Sequence, residues 1–304
     1  MHNVRSILSV GLVTLGALLV AAPASAQEGT LKKIKETNTI TLGHRDASIP
    51  FSYFDDKQQA VGYAMDLCGK IVNAVKAELK MPNLQVKLNP VTSATRIPLM
   101  ANGTVGLECG STTNNLERQK QVSFTITHFV TANRFVSKKA ANLKTVDDLK
   151  GKTIVSTSGT TNIKQITEIN GQKNLGMTIL TGKDHAESLL MVDTNRAAAF
   201  FEDDILLTGL AANARNPSEW ALGTEAYSID PYALMLPRGD PAFKRVVDRA
   251  LTDLYKSGEI MKVYDRWFSK PIPPKNVVLN FPLSPALKKA YEKPTDSPEP
   301  SAYE

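Results

Sequence analysis

Twice along this chain, short apolar runs of strand length alternate with stretches whose apolar residues recur at helical spacing, in the order β-α-β-α-β. The first unit opens with a strand at 39–43, an acidic turn at Asp55-Asp56 and a helix starting at Gly62-Tyr63-Ala64. On that helix Met65, Cys68, Ile71, Val72, Val75 and Leu79 share one face, and Pro82 ends it. An alternating strand at 84–88, a short helix at 93–103 and a strand at 105–109 complete the unit. The second unit runs through a strand at 151–157, a helix opened by Ser158-Gly159-Thr160-Thr161, and a strand at 177–180. A helix from Asp184-His185 to Val192 and a buried strand at 197–201 close it. Strands joined by helical crossovers make parallel sheets with right-handed connections. The expected fold class is therefore α/β, in two lobes, each an open and mostly parallel sheet flanked by helices.

Extended segments near 131–136 and 226–236 lie at the junctions and read as two crossings between the lobes. The chain then divides into lobe 1 at 27–131, lobe 2 at 132–227, and a return to lobe 1 at 228–270. The returning piece carries amphipathic helices at 241–256 and 259–268. Eight of the 17 prolines fall between Pro271 and Pro300, so 271–304 cannot be helical throughout. Phe281, Leu283 and Leu287 suggest a surface strap there, with disorder expected past Pro294.

Residues 1–26 read as a cleavable signal peptide: Arg5, an apolar run at 7–20, then Ala24-Ser25-Ala26. The run is shorter than the roughly 20 residues a membrane span needs. Removing 1–26 from 304 residues leaves 278, enough for two lobes, and the loss of Arg5 takes the formal charge from +6 to +5. Lysines occur in scattered pairs with acids nearby rather than in a basic stripe, which argues against nucleic acid as a partner. Cys68 and Cys109 permit one disulfide in an exported protein, or two separate buried thiols. The topology places the Cys68 helix over the strand ending at Cys109, which favours the bridge.

Open parallel sheets bind ligands at the carboxyl ends of their strands, where loops and helix N-termini converge. That rule selects Arg45 after the first strand, Ser93 and Arg96 at the second helix, and Ser111 and Thr113 after the third strand, with Arg118 following. In the second unit it selects Thr160 and Thr161 at one helix start, His185 at another, and Asp203 after the last strand. Hydroxyls with an arginine five residues beyond Thr113 suit a carboxylate gripped from two sides. Three arginines, one histidine and one carboxylate suit a small zwitterion bearing an extra acid.

Over nearly the whole mature chain the sequence resembles the solute-binding proteins of the polar amino-acid uptake family, and most of all its periplasmic glutamate/aspartate binders. The motifs carrying the resemblance are Gly43-His44-Arg45, Thr92-Ser93-Ala94-Thr95-Arg96-Ile97-Pro98 and Glu108-Cys109-Gly110-Ser111-Thr112-Thr113-Asn114-Asn115. Thr157-Ser158-Gly159-Thr160-Thr161, Lys183-Asp184-His185, and Trp267-Phe268 with Pro271-Ile272-Pro273-Pro274-Lys275 complete the set. The resemblance implies the two-lobed type II periplasmic binding protein fold and a monomer that delivers L-glutamate or L-aspartate to the permease subunits of an ABC transporter. It implies that Ser111, Thr113, Arg118 and Thr161 hold the α-carboxylate and Asp203 the α-ammonium. Arg45, Ser93, Arg96 and His185 would hold the side-chain carboxylate.

Enzyme motifs are thin. The three widely spaced histidines of the mature chain (His44, His128, His185) and two cysteines give no zinc spacing, and there is no G-x-S-x-G or phosphate-binding glycine loop. No metal, cofactor or catalytic residue is expected. The alternative function is a periplasmic dehydratase of prephenate or arogenate type on the same fold.

Overall fold

The computed structural model describes residues 29–304; the signal peptide read at 1–26 lies outside the described residues. Helix α1 (Thr30–Thr37) leads into β1 (Thr39–His44), the central parallel strand of the first lobe. A small antiparallel ribbon follows, β2 (Ala47–Ser48), β3 (Ser52–Phe54) and β4 (Ala60–Val61), and then α2 (Tyr63–Leu79). Next come β5 (Gln85–Pro90), α3 (Arg96–Ala101), β6 (Leu107–Cys109), the single turn α4 (Leu116–Gln119) and β7 (Ser123–Phe124). The chain crosses on β8 (Phe129–Thr131) and enters the second lobe with β9 (Asn133–Lys138). There it alternates β10 (Thr153–Thr157), α5 (Thr161–Gln172), β11 (Thr178–Gly182), α6 (His185–Asp193), β12 (Ala199–Asp203), α7 (Asp204–Asn213) and β13 (Trp220–Leu222). It returns on β14 (Asp230–Tyr232) and β15 (Met235–Leu236), and finishes with α8 (Pro241–Lys256), α9 (Glu259–Phe268) and α10 (Pro285–Glu292).

The two sheets share one plan. The first has the order β5-β1-β6-β15-β7 and the second β11-β10-β12-β9-β13. In each, three parallel strands are joined by a strand that runs antiparallel to its neighbours, β15 or β9. Both sheets are covered on two faces; β12 is buried along its whole length, while β1 alternates buried Ile40 and Leu42 with half-buried threonines. The edge strand β5 is different: Val86 and Leu88 are each 44% exposed, although the sequence there alternates. The crossing strands β8 and β14 pair antiparallel, with Thr131 opposite Asp230. Phe129 and Tyr232 of these strands pack with Phe51 and Phe268, ring centroids 4.9 to 6.1 Å apart. Helices α8 and α9 return to pack on α2, as the amphipathic spacing predicts.

Cys68 on α2 is bonded to Cys109 at the end of β6, with Cα atoms 6.1 Å apart and a sequence separation of 41. The chain-entropy model credits closing a loop of that size with about 4 kcal/mol. The bond also pins the strand end from which the next loop springs.

The tail corrects an expectation. Residues past Pro294 are ordered against the first lobe and its crossing strand. Tyr303 is buried, and its hydroxyl lies 2.7 Å from Thr127 Oγ1; Thr127 N donates to the Thr295 carbonyl at 2.8 Å. Upstream, Tyr291 donates to the His128 carbonyl at 3.1 Å. Proline content misleads here because Pro285 occupies the first position of α10, where its missing N–H has no partner to lose. Ser284 caps that helix, accepting from Leu287 N at 3.1 Å.

Candidate functional site

Local capping places the polar side chains at the interface of the lobes. Asn115 accepts from Arg118 N at 2.9 Å and so starts α4, swinging the arginine back under its own loop. Thr160 caps α5 by accepting from Ile163 N, and Asp184 caps α6 by accepting from Glu187 N at 2.8 Å. Thr161 and His185 are therefore the first residues of their helices, at the positive ends of the backbone dipoles.

These elements meet around a narrow space between the lobes. Eight of the nine residues predicted from sequence line it: Ser93, Arg96, Ser111, Thr113, Arg118, Thr161, His185 and Asp203, from both lobes. Arg45 stands just behind, its Nη2 donating to Ser93 Oγ at 2.8 Å and facing His185 Nε2 at 3.3 Å. Thr160, Asn162 and Glu202 also line the space. A larger open groove between α2, β5 and α9 lacks such convergence, since its Lys70 pairs with Glu259 and its Arg266 with Asp66.

Several side chains are held before any ligand arrives. Arg96 Nη1 donates to the Ser111 carbonyl at 3.0 Å and to Thr112 Oγ1, which in turn donates to Glu108 Oε2 at 2.8 Å. Arg118 Nη1 donates to the Thr113 carbonyl at 2.8 Å, and its Nη2 reaches the Gly159 carbonyl of the other lobe at 3.2 Å. Asp203 accepts from Asn162 Nδ2 at 2.8 Å and from the Tyr232 hydroxyl. The lobes are closed on each other: a Cβ on Gly159, whose φ is +79°, would come 2.5 Å from Ala94 Cα. Yet Arg45 Nη1, Arg96 Nε and Ser111 Oγ are buried with no hydrogen-bond partner. An unmet buried polar group costs about 1–3 kcal/mol, so the site is built for a polar occupant.

Electrostatics point the same way. Burial, then the neighbouring Arg96, lowers Arg45 to about 10 and Arg118 to about 9, which leaves both charged at neutral pH. Burial raises Asp203 well above its ordinary value, with Glu202 and Asp230 adding to the rise. Three crowded guanidinium groups gain from an added anion, and the carboxyl at Asp203 gains from an added cation. His185 is held well below its ordinary value by burial, then by Arg45 and Arg96.

Sequence reasoning missed Glu202, Asn162 and Tyr232. A carboxylate directly after Phe200-Phe201 in a strand buried on both faces was the available signal for Glu202. Asn162 and Tyr232 carry no local signal, because their contact with Asp203 exists only in the assembled lobes.

A two-lobed α/β molecule with an enclosed, charge-lined interlobe cavity belongs to the class that captures small polar solutes. The profile described as "Bacterial extracellular solute-binding proteins, family 3" matches residues 40–270, and the chain belongs to that family. It is 54% identical to an L-glutamate/L-aspartate-binding protein of Pseudomonas aeruginosa, over 97% of this chain and 98% of that one. It is 45% identical to a glutamate/aspartate import solute-binding protein of Escherichia coli, over 91% of each. Among solved structures it is similar to a cysteine-binding protein from Campylobacter jejuni, with TM-score 0.68, 25% identity, and coverage of 79% of this chain and 92% of that one. Among the described residues no helix is long and apolar enough to cross a membrane, and no group of three or more His, Cys, Asp or Glu is placed to hold a metal ion.

Proposed function

We propose that this chain captures L-glutamate or L-aspartate between its lobes in the periplasm and, as a monomer, presents the closed form to the permease subunits of an ABC importer. Residues 1–26 direct export and are removed. The observation that carries the reading is the convergence of Arg45, Arg96 and Arg118 with Asp203 around one small enclosed space. In this reading Arg118, Ser111, Thr113 and Thr161 bind the α-carboxylate, and Asp203 the α-ammonium. Arg45, Ser93, Arg96 and His185 bind the side-chain carboxylate. A neutral amide would leave buried donors unmatched at about 1–3 kcal/mol each, so acids are preferred over glutamine and asparagine. The names carried by the full-length relatives favour binding over dehydration chemistry.

Ligand stabilises the closed state only through its greater affinity for that state. Contacts made from both lobes supply that difference. Titration calorimetry of the purified protein against glutamate, aspartate, glutamine and asparagine tests the proposal. Amides binding as tightly as the acids would refute the side-chain subsite, and no heat with either acid would refute the ligand.

A further inference from the structure

Glu202 is buried at 1% exposure beside the side-chain subsite. Its Oε2 lies 3.4 Å from His185 Nδ1 and has no hydrogen-bond partner, while Oε1 accepts from Asp203 N at 3.3 Å. The hydrogen-bond chain around the ring fixes its tautomer. Ser188 Oγ donates to the Asp184 carbonyl at 3.0 Å, so it accepts from Thr157 Oγ1 at 2.9 Å. The Thr157 oxygen then accepts from His185 Nδ1 at 2.9 Å, which places the hydrogen on Nδ1. On the far side of the ring, Arg45 Nη2 can only donate, so Nε2 presents a lone pair.

A lone pair suits the arginine but repels a carboxylate brought to the same place. Adding a proton to Nε2 removes that repulsion and leaves an imidazolium between the incoming carboxylate and Glu202. The charge balance agrees. Even with Glu202, Asp203 and Asp230 all ionised, their three negative charges match the three positive charges of Arg45, Arg96 and Arg118, so these groups hold no positive excess. An acidic amino acid adds one negative charge; a neutral amide adds none.

We propose that Glu202 is a specificity-determining positioning residue: through His185 it lets the site hold one proton together with an acidic side chain, so that acids and not amides bind with proton linkage. This rests on the ligand reading above. The proton comes from solvent, joins the Nε2 lone pair and leaves with the ligand. Burial pushes Glu202 up to about 7 in the empty site. Below that pH the proton already sits on Glu202 and moves to His185 on binding; above it, binding must draw a proton from solvent. The other charged and titratable groups acting on the pair and its neighbours are Asp184, the three arginines, Asp203, Asp230 and Tyr232. Arg134, opposite Glu202 in the sheet, is turned to the Gly223 and Thr224 carbonyls. An α-ammonium expels any proton on Asp203, and Glu202 adds to the rise there, so the imidazole readout below, which Asp203 does not enter, accompanies the proton count.

Calorimetry with glutamate in phosphate and in Bis-Tris at pH 6, and in phosphate and in Tris at pH 8, counts the protons taken up by the wild type and by Glu202→Gln. The expected difference between the two proteins is close to zero at pH 6 and close to one proton per ligand at pH 8. The wild-type Kd should rise about tenfold over the unit above pH 7, and that of Glu202→Gln by less than about threefold. Equal proton counts in the two proteins at pH 8 would overturn the proposal. Imidazole ¹⁵N spectra of the glutamate-saturated wild type at pH 8 provide a readout that needs no variant: an imidazolium at His185 supports it, and a neutral ring overturns it. Glutamate binding without pH dependence sinks this inference alone, whereas no glutamate binding at either pH sinks the ligand reading with it.

Discussion

Arg118 and Arg96 look interchangeable in sequence, but their hydrogen bonds divide their work. Arg118 uses both terminal nitrogens on carbonyls, one in each lobe, so it positions the loop, bridges the closed state and faces the cavity. Truncating one partner of a buried charge pair costs about 2–5 kcal/mol. Arg118→Ala should therefore weaken glutamate and aspartate alike by roughly 30-fold or more in calorimetry, and unchanged affinity would remove it from the α-carboxylate subsite. Arg96 also braces Ser111 and Thr112, on the α-carboxylate side. Arg96→Ala is accordingly expected to erode discrimination between acid and amide and to lower affinity for both. A pure loss of discrimination would show that the brace is dispensable.

At the scale of an element, α7 illustrates how closure is tuned by packing rather than by charge. Gly209 lies inside this helix, and a Cβ there would come 2.5 Å from the Ile49 carbonyl oxygen of the first lobe. Alanine is worth roughly 0.5–1 kcal/mol over glycine in a helix interior, so it favours the isolated second lobe. It also obstructs the closed state. Gly209→Ala should thus raise the melting temperature of the ligand-free protein slightly while weakening glutamate binding. Thermal scans with and without glutamate check this; a variant that both melts higher and binds as well as wild type would show that α7 does not abut β2 in the bound form.

For the molecule as a whole, the tail ties the first lobe to the crossing strand. Removing residues 294–304 loses the burial of Tyr303, the bonds to Thr127, and the Asn114 Nδ2 contact with the Asp296 carbonyl at 2.9 Å. Burying an aromatic side chain contributes about 1.5–3 kcal/mol and each neutral hydrogen bond about 0.5–1.5. The truncated protein should melt about 5–10 °C lower, with glutamate affinity within about threefold of the full chain. An unchanged melting temperature would mean the tail is not held in solution. Across the opening, Lys275 Nζ donates to the Ala214 carbonyl of the second lobe at 2.9 Å, so the proximal strap contacts both halves.

The strand and helix periods, the caps and the strand-end arginines act over a few residues, which is why the sequence alone determined the architecture and most of the cavity wall. Thr160, Asp184 and Asn115 are caps wherever they stand, and their helices place Thr161, His185 and Arg118 at the cleft. Tertiary structure decided what these residues meet. The sequence favours the bridge between Cys68 and Cys109 over two thiols, and the packing of α2 on β6, with their Cα atoms 6.1 Å apart, decides it. Order in the tail depends on a pocket assembled from Thr127, His128 and Asn114, far away in the chain. The role of Glu202 is the sharpest case: beside two phenylalanines it reads as the end of a buried strand. Folding of the second lobe brings His185 to 3.4 Å of it, and closure of the first lobe crowds three guanidinium groups nearby. Charge interactions strengthen as water is excluded, and that exclusion is a property of the folded whole.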